Sequence, residues 1–181
     1  MDGQFRPVLR QLLSDALAAP VPAHTRRDVY LPAIKGKALA VVGMRRSGKT
    51  TFLWQCLAER LAAGCPREAL VYVNFEDERL VGMTALDLQW VVEEYFALHP
   101  EHRGARRVTL LFDEIQLVPG WETFVRRLLD TEEVEIFLSG SSARLLSREV
   151  ATSMRGRGLE VLVHPFSFRE YLRHRGAEAD R

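Results

Sequence analysis

Residues 43–50 read GMRRSGKT and match the pattern G-x-x-x-x-G-K-[ST] at every fixed position. The segment follows an apolar run at residues 38–42 and opens a helical pattern at residues 49–63. In such a loop successive backbone N–H groups wrap a phosphate, and the two glycines allow the required backbone angles and close approach. The lysine brings positive charge to the β- and γ-phosphates, and the threonine offers a hydroxyl to Mg²⁺. This stretch therefore predicts a nucleotide site.

The predicted nucleotide contacts form one continuous stretch: Gly43, Met44, Arg45, Arg46, Ser47, Gly48, Lys49, Thr50 and Thr51. A glycine-rich turn that only joined a strand to a helix would need neither Lys49 nor Thr50. The side chains of Arg45 and Arg46 have no assigned partner, and they could face a partner protein, a lid or the base. Arg26 and Arg27 precede the first strand at a distance that suits the adenine side, and their roles also stay open.

Short apolar runs alternate with helical patterns along the chain. The predicted strands are residues 38–42, 69–73, 108–112, 134–138 and 159–163, and the predicted helices are residues 5–18, 49–63, about 84–98, a segment after Gly120, and 167–175. Thr84 is the predicted N-cap of the third helix, with Asp87 three residues on. Strands that are continuously apolar indicate parallel strands covered on both faces. The pattern predicts an α/β fold, a three-layer αβα sandwich.

A length of 181 residues suits one domain. Pro20 and Pro22 interrupt the chain after the first helix. We therefore interpret residues 1–34 as an N-terminal helix and linker packed on the core, and residues 35–181 as the core itself.

The third strand ends in Asp113 and Glu114, about 60 residues after the phosphate loop. A carboxylate at the edge of a buried strand is costly unless a positive charge meets it there, and Mg²⁺ supplies that charge. Asp113 is the predicted magnesium ligand together with Thr50. Glu114 is the predicted catalytic residue, which orients or deprotonates the attacking water. Alternatively, the two acids could simply face solvent at the strand end.

The fourth strand runs into Ser139-Gly140-Ser141-Ser142. If this strand lies between the other two site strands, its polar tip can touch the γ-phosphate or the water. Ser139 is the first candidate and Ser141 the second. Ser141 or Ser142 could instead cap the following helix.

The motifs together resemble those of prokaryotic AAA-type ATPases whose phosphate loop reads G-x-R-R-x-G-K-T. The matching pieces, within residues 35–172, are GMRRSGKTTFL, VYVNFEDERL, LLFDEIQLVPGWETFVRRLLD, IFLSGSSARLLS and RGRGLEVLVHPFSFREYL. The resemblance implies a P-loop NTPase of the ASCE/AAA-like type with five parallel strands in the order 5-1-4-3-2. It implies ATP and Mg²⁺ as cofactors and assigns the roles given above to Lys49, Thr50, Asp113 and Glu114, with Ser139 as the sensor.

The resemblance also extends to two further positions. It implies that Asn74, at the end of the second strand, restrains the catalytic glutamate, although a turn residue would also fit there. It implies that an arginine in MRGRG reaches the γ-phosphate of a neighbouring subunit, and Arg157 is chosen over Arg155. A solvated arginine or an intrachain salt bridge would also fit this position. Family members continue into a helical lid and a C-terminal domain of unknown function, whereas this sequence ends at Arg181, so no lid arginine is expected.

The bulk composition limits the partners. A formal net charge of +1 gives no support for a nucleic-acid partner. No apolar run approaches the ~20 residues that a membrane span needs, and the N-terminus does not read as a secretion signal. Cys56 and Cys65 lie in no metal-ligand spacing, which favours free thiols in a reducing cytoplasm. We expect a cytoplasmic protein with a nucleotide and either a protein partner or further copies of itself.

Three functions fit the sequence. The leading hypothesis is a Mg²⁺-dependent ATPase that drives a conformational change in a partner or assembly, with Lys49, Glu114, Ser139 and Arg157 as catalytic residues. The second is an ATP-dependent binding switch with negligible hydrolysis, and the third is a small-molecule kinase. The GTPase-type base-reading motif N-K-x-D does not occur, which favours ATP over GTP.

Overall fold

The computed structural model describes residues 3–32, 34–141 and 152–177, apart from the side chain of Ser141. Within these ranges the helices are α1 (Arg6–Ala18), α2 (Lys49–Ala62), α3 (Gln89–Leu98), α4 (Trp121–Thr131) and α5 (Phe168–His174). The strands are β1 (Ala38–Gly43), β2 (Leu70–Asn74), β3 (Val108–Asp113), β4 (Val134–Ser141) and β5 (Gly158–Leu162). Each predicted strand is present, with its ends shifted by three residues at most.

The five strands form one parallel sheet in the order β2-β3-β4-β1-β5. This is the predicted order, read from the other edge. β4 therefore lies between β1, which leads into the phosphate loop, and β3, which ends in the acidic pair. In the register between β1 and β4, Val41 pairs with Ser139 and Gly43 with Ser141. The carboxyl ends of all three strands meet at one edge of the sheet, which is where ligands of open α/β sheets bind.

Helices cover both faces of the sheet, as the continuously apolar strands predict. On one face Phe52, Leu53 and Leu57 of α2 pack in a single apolar cluster with Leu111 and Phe137 of the sheet. A second cluster buries the apolar sides of α1, α3 and α4 on the other face. All six residues of β3 are buried, so its polar end residue is enclosed by protein on several sides. The three-layer αβα arrangement is confirmed.

The predicted start of the third helix is wrong. Thr84 donates hydrogen bonds to the Asp87 carboxylate from its N–H (2.9 Å) and its hydroxyl (2.8 Å), as the pattern suggested. These bonds close a turn, however, and the helix begins only at Gln89. The backbone N–H of Asp87 bonds the Thr84 carbonyl, and that of Trp90 bonds the Asp87 carbonyl. Bonds of this i→i+3 type mark tight turns that lead into the α-helix.

Candidate functional site

The loop between β1 and α2 has a backbone that few sequences tolerate. Gly48, directly before α2, has a φ of 92° in the left-handed region, which residues with a side chain adopt only at a cost. A Cβ at this position would also lie 3.1 Å from Nη1 of Arg27. Arg46 has a positive φ of 64° as well. The loop therefore depends on glycine at position 48, and it places Arg46 in a conformation that is costly for a residue with a side chain.

Gly43 is needed for close approach of the chain and not for an unusual backbone angle. This residue is not among those with positive φ. A Cβ on it would lie 2.6 Å from Oγ of Ser47 and would overlap the carbonyl oxygen of Val163. The Ser47 hydroxyl is buried and has no hydrogen-bond partner among the described residues. Gly43 thus lets the loop fold tightly against the end of the sheet.

The Lys49 ammonium lies across the loop. Its Nζ donates to the carbonyl oxygens of Gly43 (3.4 Å) and Met44 (3.2 Å), and the residue is only 8% exposed. It is the first residue of α2, so its charge adds to the positive N-terminal end of that helix. Other residues of the stretch reach solvent, namely Met44, Arg45, Arg46, Thr50 and Thr51. The loop therefore combines a concentrated positive charge with accessible hydroxyl groups.

Asp113 is enclosed at the end of β3, with 1% of its surface exposed. Its Oδ2 accepts a hydrogen bond from the Tyr72 phenol at 2.8 Å, and its Oδ1 accepts one from the Ser139 hydroxyl. Both donors are neutral, so they orient the carboxylate without cancelling its charge. A buried carboxylate held in this way is a suitable partner for a cation.

Tyr72 is a site residue that the sequence analysis missed. Burial, and then the neighbouring Asp113 carboxylate, raises the pKa of Tyr72 well above its ordinary value. The phenol therefore stays protonated and remains a donor to Asp113. Its ring packs on Trp54 of α2 with centroids 4.4 Å apart. The only available signal was a tyrosine inside an otherwise aliphatic strand.

Ser139 joins the two predicted acids. Its Oγ donates to Asp113 and accepts a hydrogen bond from the backbone N–H of Glu114 at 3.1 Å. The residue is fully buried in β4, between the strands that carry the phosphate loop and the acidic pair. The side chain of Ser141 and all of Ser142 lie outside the described residues. Ser139 thus lies at the centre of the described network.

Glu114 has an unusual backbone. Its φ of 54° and ψ of 38° are left-handed, which costs a residue with a side chain roughly 1–2 kcal/mol. The bond from its N–H to Ser139 helps to hold this conformation. Its Oε2 accepts a hydrogen bond from the Gln116 side chain at 2.5 Å. Strained residues of this kind cluster at functional sites.

Asn74 lies beside Asp113 in the register between β2 and β3. Its amide oxygen accepts a hydrogen bond from the backbone N–H of Glu76 at 2.9 Å. That contact is typical of a turn residue at a strand end. The described hydrogen bond thus links Asn74 to the turn after β2.

Arg157 lies at the amino-terminal end of β1, whereas the phosphate loop follows the carboxyl end of that strand. Its backbone carbonyl accepts from Ala38 at the start of β1. Its guanidinium pairs with Asp130 of α4 in a partly exposed ion pair. Arg157 is therefore remote from the phosphate loop of its own chain.

A groove of about 210 Å³ adjoins the phosphate loop. Its walls are formed by the loop, the start of α2 and the segment before α5, through Arg27, Arg46, Ser47, Gly48, Thr51, Pro165 and Phe166. Of the basic residues whose roles were open, Arg27 and Arg46 line this groove. Only Arg27 is buried, with 4% of its surface exposed.

The donor set fits a magnesium ion. Mg²⁺ prefers carboxylate and hydroxyl oxygens and keeps several waters. The Asp113 carboxylate is buried, and the donors in its described hydrogen bonds are uncharged. Thr50 is an exposed residue in the first turn of α2 and offers a hydroxyl group. Thr50 begins α2 after the loop that follows β1, and Asp113 ends β3; β1 and β3 are the two strands that flank β4.

Residues 35–172 match a family model described as AAA domain. The chain belongs to this AAA family. Membership supports a nucleotide-binding, ATPase-type function. Among the described residues, no helix combines the length and apolar character needed to cross a bilayer.

Two curated relatives cover much of the chain. The chain is 38% identical over 169 residues, or 93% of its length, to the uncharacterized protein MJ1544 of Methanocaldococcus jannaschii. It is 34% identical over 140 residues, or 77% of its length, to an uncharacterized protein of Haemophilus influenzae. These alignments span 35% and 34% of the two relatives. A solved structure of Cdc6p from Pyrobaculum aerophilum aligns with 79% of the chain, and the alignment covers 44% of the Cdc6p chain, at 15% identity and a TM-score of 0.48.

Proposed function

We propose that this AAA domain is a Mg²⁺-dependent ATPase that hydrolyses the γ-phosphate of ATP. The proposal rests on the Asp113–Ser139–Glu114 network, which ties a buried carboxylate and a strained glutamate to the strand next to the phosphate loop. A fold that only needed a capped strand end would not require a buried carboxylate there whose donors, among the described residues, are the uncharged hydroxyls of Tyr72 and Ser139. ATP is preferred over GTP because the sequence lacks the base-reading motif N-K-x-D.

The residues have distinct roles in this proposal. Backbone N–H groups of the loop and the Lys49 ammonium bind the β- and γ-phosphates, and Thr50 and Asp113 hold Mg²⁺. When bound, the ion neutralises charge that develops on the phosphate oxygens. Ser139 fixes the orientation of Asp113 and the backbone of Glu114. The Glu114 carboxylate orients the attacking water and accepts its proton.

Arg157 is proposed to act in trans. Arg157 lies at the amino-terminal end of β1, far from the phosphate loop of the same chain. This position favours contact with the nucleotide of a neighbouring copy over contact with the nucleotide of its own chain. A guanidinium placed on the γ-phosphate stabilises the transition state, and such fingers contribute roughly 10³–10⁵ in rate. We therefore expect slow turnover by the isolated chain and faster turnover in an assembly with itself or with a partner.

The wider setting is also a proposal. Residues 1–34 form a helix and linker on a core of residues 35–181, and the packing of α1 against α3 and β2 supports this division. Free cysteines at positions 56 and 65 support a cytoplasmic location.

Turnover tests the proposal directly. Phosphate release from Mg·ATP is measured for the wild type and for Glu114→Gln, with ATP affinity measured in parallel. We expect Glu114→Gln to lower the rate by about 10²-fold or more, since it removes the general base, while the Kd changes little. The matched control is Glu76→Gln, an exposed acid that follows β2, the strand next to β3. Equal rates in wild type and Glu114→Gln would reject hydrolysis by Glu114.

A switch with negligible hydrolysis is the second candidate function. The observation that favours it is the hydrogen bond from Gln116 to Oε2 of Glu114, which engages the carboxylate that the water would need. Under this proposal Gln116→Ala increases turnover, whereas an ATPase that uses the bond to position Glu114 slows down. Phosphate release without an added acceptor argues against the small-molecule kinase.

A further inference from the structure

Arg27 is a buried arginine in the segment before β1, only 4% exposed. Its guanidinium donates through Nε to Oε1 of Glu170 (2.9 Å), through Nη1 to the carbonyl of Ser47 (2.9 Å) and through Nη2 to the carbonyl of His164 (2.5 Å). The Phe166 ring packs against it at 4.9 Å. One side chain thus connects the phosphate loop to the segment around α5.

The contact with Ser47 bears on how the loop binds phosphate. For the loop N–H groups to face a phosphate, its carbonyl groups must face away, and a buried carbonyl needs a donor. Arg27 supplies that donor to the residue directly before Gly48. A guanidinium can bind a carboxylate and a carbonyl at once because its N–H groups form a rigid fork.

The backbone of Arg27 is fixed as well. Its N–H donates to Oε1 of Gln55 at 2.6 Å, and its carbonyl accepts from Nε2 of Gln55 at 3.1 Å. Gln55 lies in α2, the helix that begins at Lys49, and is 3% exposed. The segment around Arg27 is therefore joined to both the loop and the helix that follows it.

Glu170 holds the other end of the network. Its Oε1 accepts from Arg27 and from the backbone N–H of Asp28 (2.9 Å), and its Oε2 accepts from the N–H of Ser167 (2.8 Å). With Ser167 it forms the capping box that starts α5. A shift of α5 would therefore change the position of Glu170 and loosen its bond to Arg27.

We propose that Arg27 and Glu170 are positioning residues that hold the phosphate loop in its binding conformation and couple nucleotide affinity to the position of α5. This rests on the proposed nucleotide site. Buried ion pairs often contribute little net stability compared with apolar residues, so stability alone is a weak reason for this one. Its geometry instead serves to orient the Ser47 carbonyl. A partner that displaces α5 would weaken ATP binding without touching the phosphate loop.

The test uses Glu170→Gln, which keeps an acceptor for the capping box but removes the charge that holds Arg27. The matched control is Arg173→Gln, which breaks an ion pair to Asp28 and a hydrogen bond to the Arg26 carbonyl between the same helix and the same segment. These described contacts do not involve the loop. Mg·ATP binding is measured by calorimetry well below the unfolding temperature of each variant. We expect Glu170→Gln to raise the Kd about tenfold, within the range of typical coupling, and Arg173→Gln to leave it within about twofold.

A second variant and two further readouts separate positioning from stability. Arg27→Lys keeps the charge but cannot bond Glu170 and Ser47 together, so its Kd should rise and should change little when Glu170→Gln is added. Amide exchange in residues 43–50 should increase in both variants, and in the hydrolysis assay KM should rise while kcat stays within about twofold, because Glu114 is untouched.

The outcomes distinguish this inference from the proposed function. If the wild type does not bind Mg·ATP, the proposed function fails. If the wild type binds and folded Glu170→Gln and Arg27→Lys bind equally well, the coupling is rejected while the nucleotide site stands. Should Glu170→Gln fail to fold, Arg27→Lys alone decides the result.

Discussion

The Tyr72 phenol donates a hydrogen bond of 2.8 Å to Oδ2 of Asp113, from the strand next to the one that Asp113 ends. Together with Ser139 it gives each oxygen of a buried carboxylate one hydroxyl donor. The carboxylate is therefore oriented before any cation reaches it. This arrangement follows from three neighbouring strands, β2, β3 and β4, that end at one edge of the sheet.

Tyr72→Phe should destabilise the protein by about 1.5–3 kcal/mol, because hydrogen bonds to charged groups contribute in that range. Urea unfolding in the absence of Mg²⁺ measures the change. The control is Tyr30→Phe at a residue that is 84% exposed, where we expect less than about 0.5 kcal/mol. A loss at Tyr72 no larger than that at Tyr30 would mean that the phenol does not stabilise Asp113.

Replacements of Glu114 should reveal the strain in its backbone. Glycine tolerates a φ of 54° and alanine does not, so Glu114→Gly should be more stable than Glu114→Ala by about 1 kcal/mol. The same pair of changes at Glu93, an exposed residue inside α3, should have the opposite sign, with glycine worse by roughly 0.5–1 kcal/mol. Thermal unfolding of the four variants checks this. The same sign at both positions would contradict a left-handed Glu114.

Cys56 should be unreactive in the folded protein. Burial raises the pKa of its thiol to about 12, so the reactive thiolate is scarce at pH 8.5 and becomes common only near pH 12. We expect iodoacetamide to leave Cys56 unmodified in a Cys65→Ser variant at pH 8.5, and to label it after denaturation. Mass spectrometry reads the result, and labelling of Cys56 in the native state would show that α2 is not packed on the sheet as described.

The acid stability of the protein should depend on Glu170. Burial opposes its ionisation, but hydrogen bonds from the backbone N–H groups of Ser167 and Asp28 and from Arg27 lower its pKa to about 2. A lowered carboxyl pKa gives stability that is complete above the unfolded value of about 4.3 and is lost as pH falls toward the folded value. The stability difference between wild type and Glu170→Gln should therefore shrink from pH 5 to pH 2. A constant difference would place the stabilising effect elsewhere.

Much of the fold follows from local patterns. The five strands were predicted from their continuously apolar runs, and their order was implied by the resemblance to prokaryotic AAA-type ATPases. The start of α3 was predicted wrongly, because Thr84 and Asp87 make the bonds of a helix cap while closing only a turn. A threonine followed three residues later by an aspartate does not distinguish these two structures.

The contacts that complete the site could not be predicted from such patterns. Tyr72 lies 41 residues from Asp113, and Arg27 lies 143 residues from Glu170. Local periodicity and spacing carry no signal for pairs at these separations, since the sheet order and the packing of α5 bring them together. The role of Arg27 stayed open in the sequence for this reason, although its charge was visible there.

Calorimetry of Mg·ATP binding to the wild type and to Lys49→Ala tests the central claim, the nucleotide site in residues 43–50, most directly. We expect saturable binding of one nucleotide per chain in the wild type, weakened when EDTA removes Mg²⁺, and a loss of measurable binding in Lys49→Ala with an unchanged unfolding transition. Absence of binding in the wild type, or equal binding by the folded variant, would contradict it.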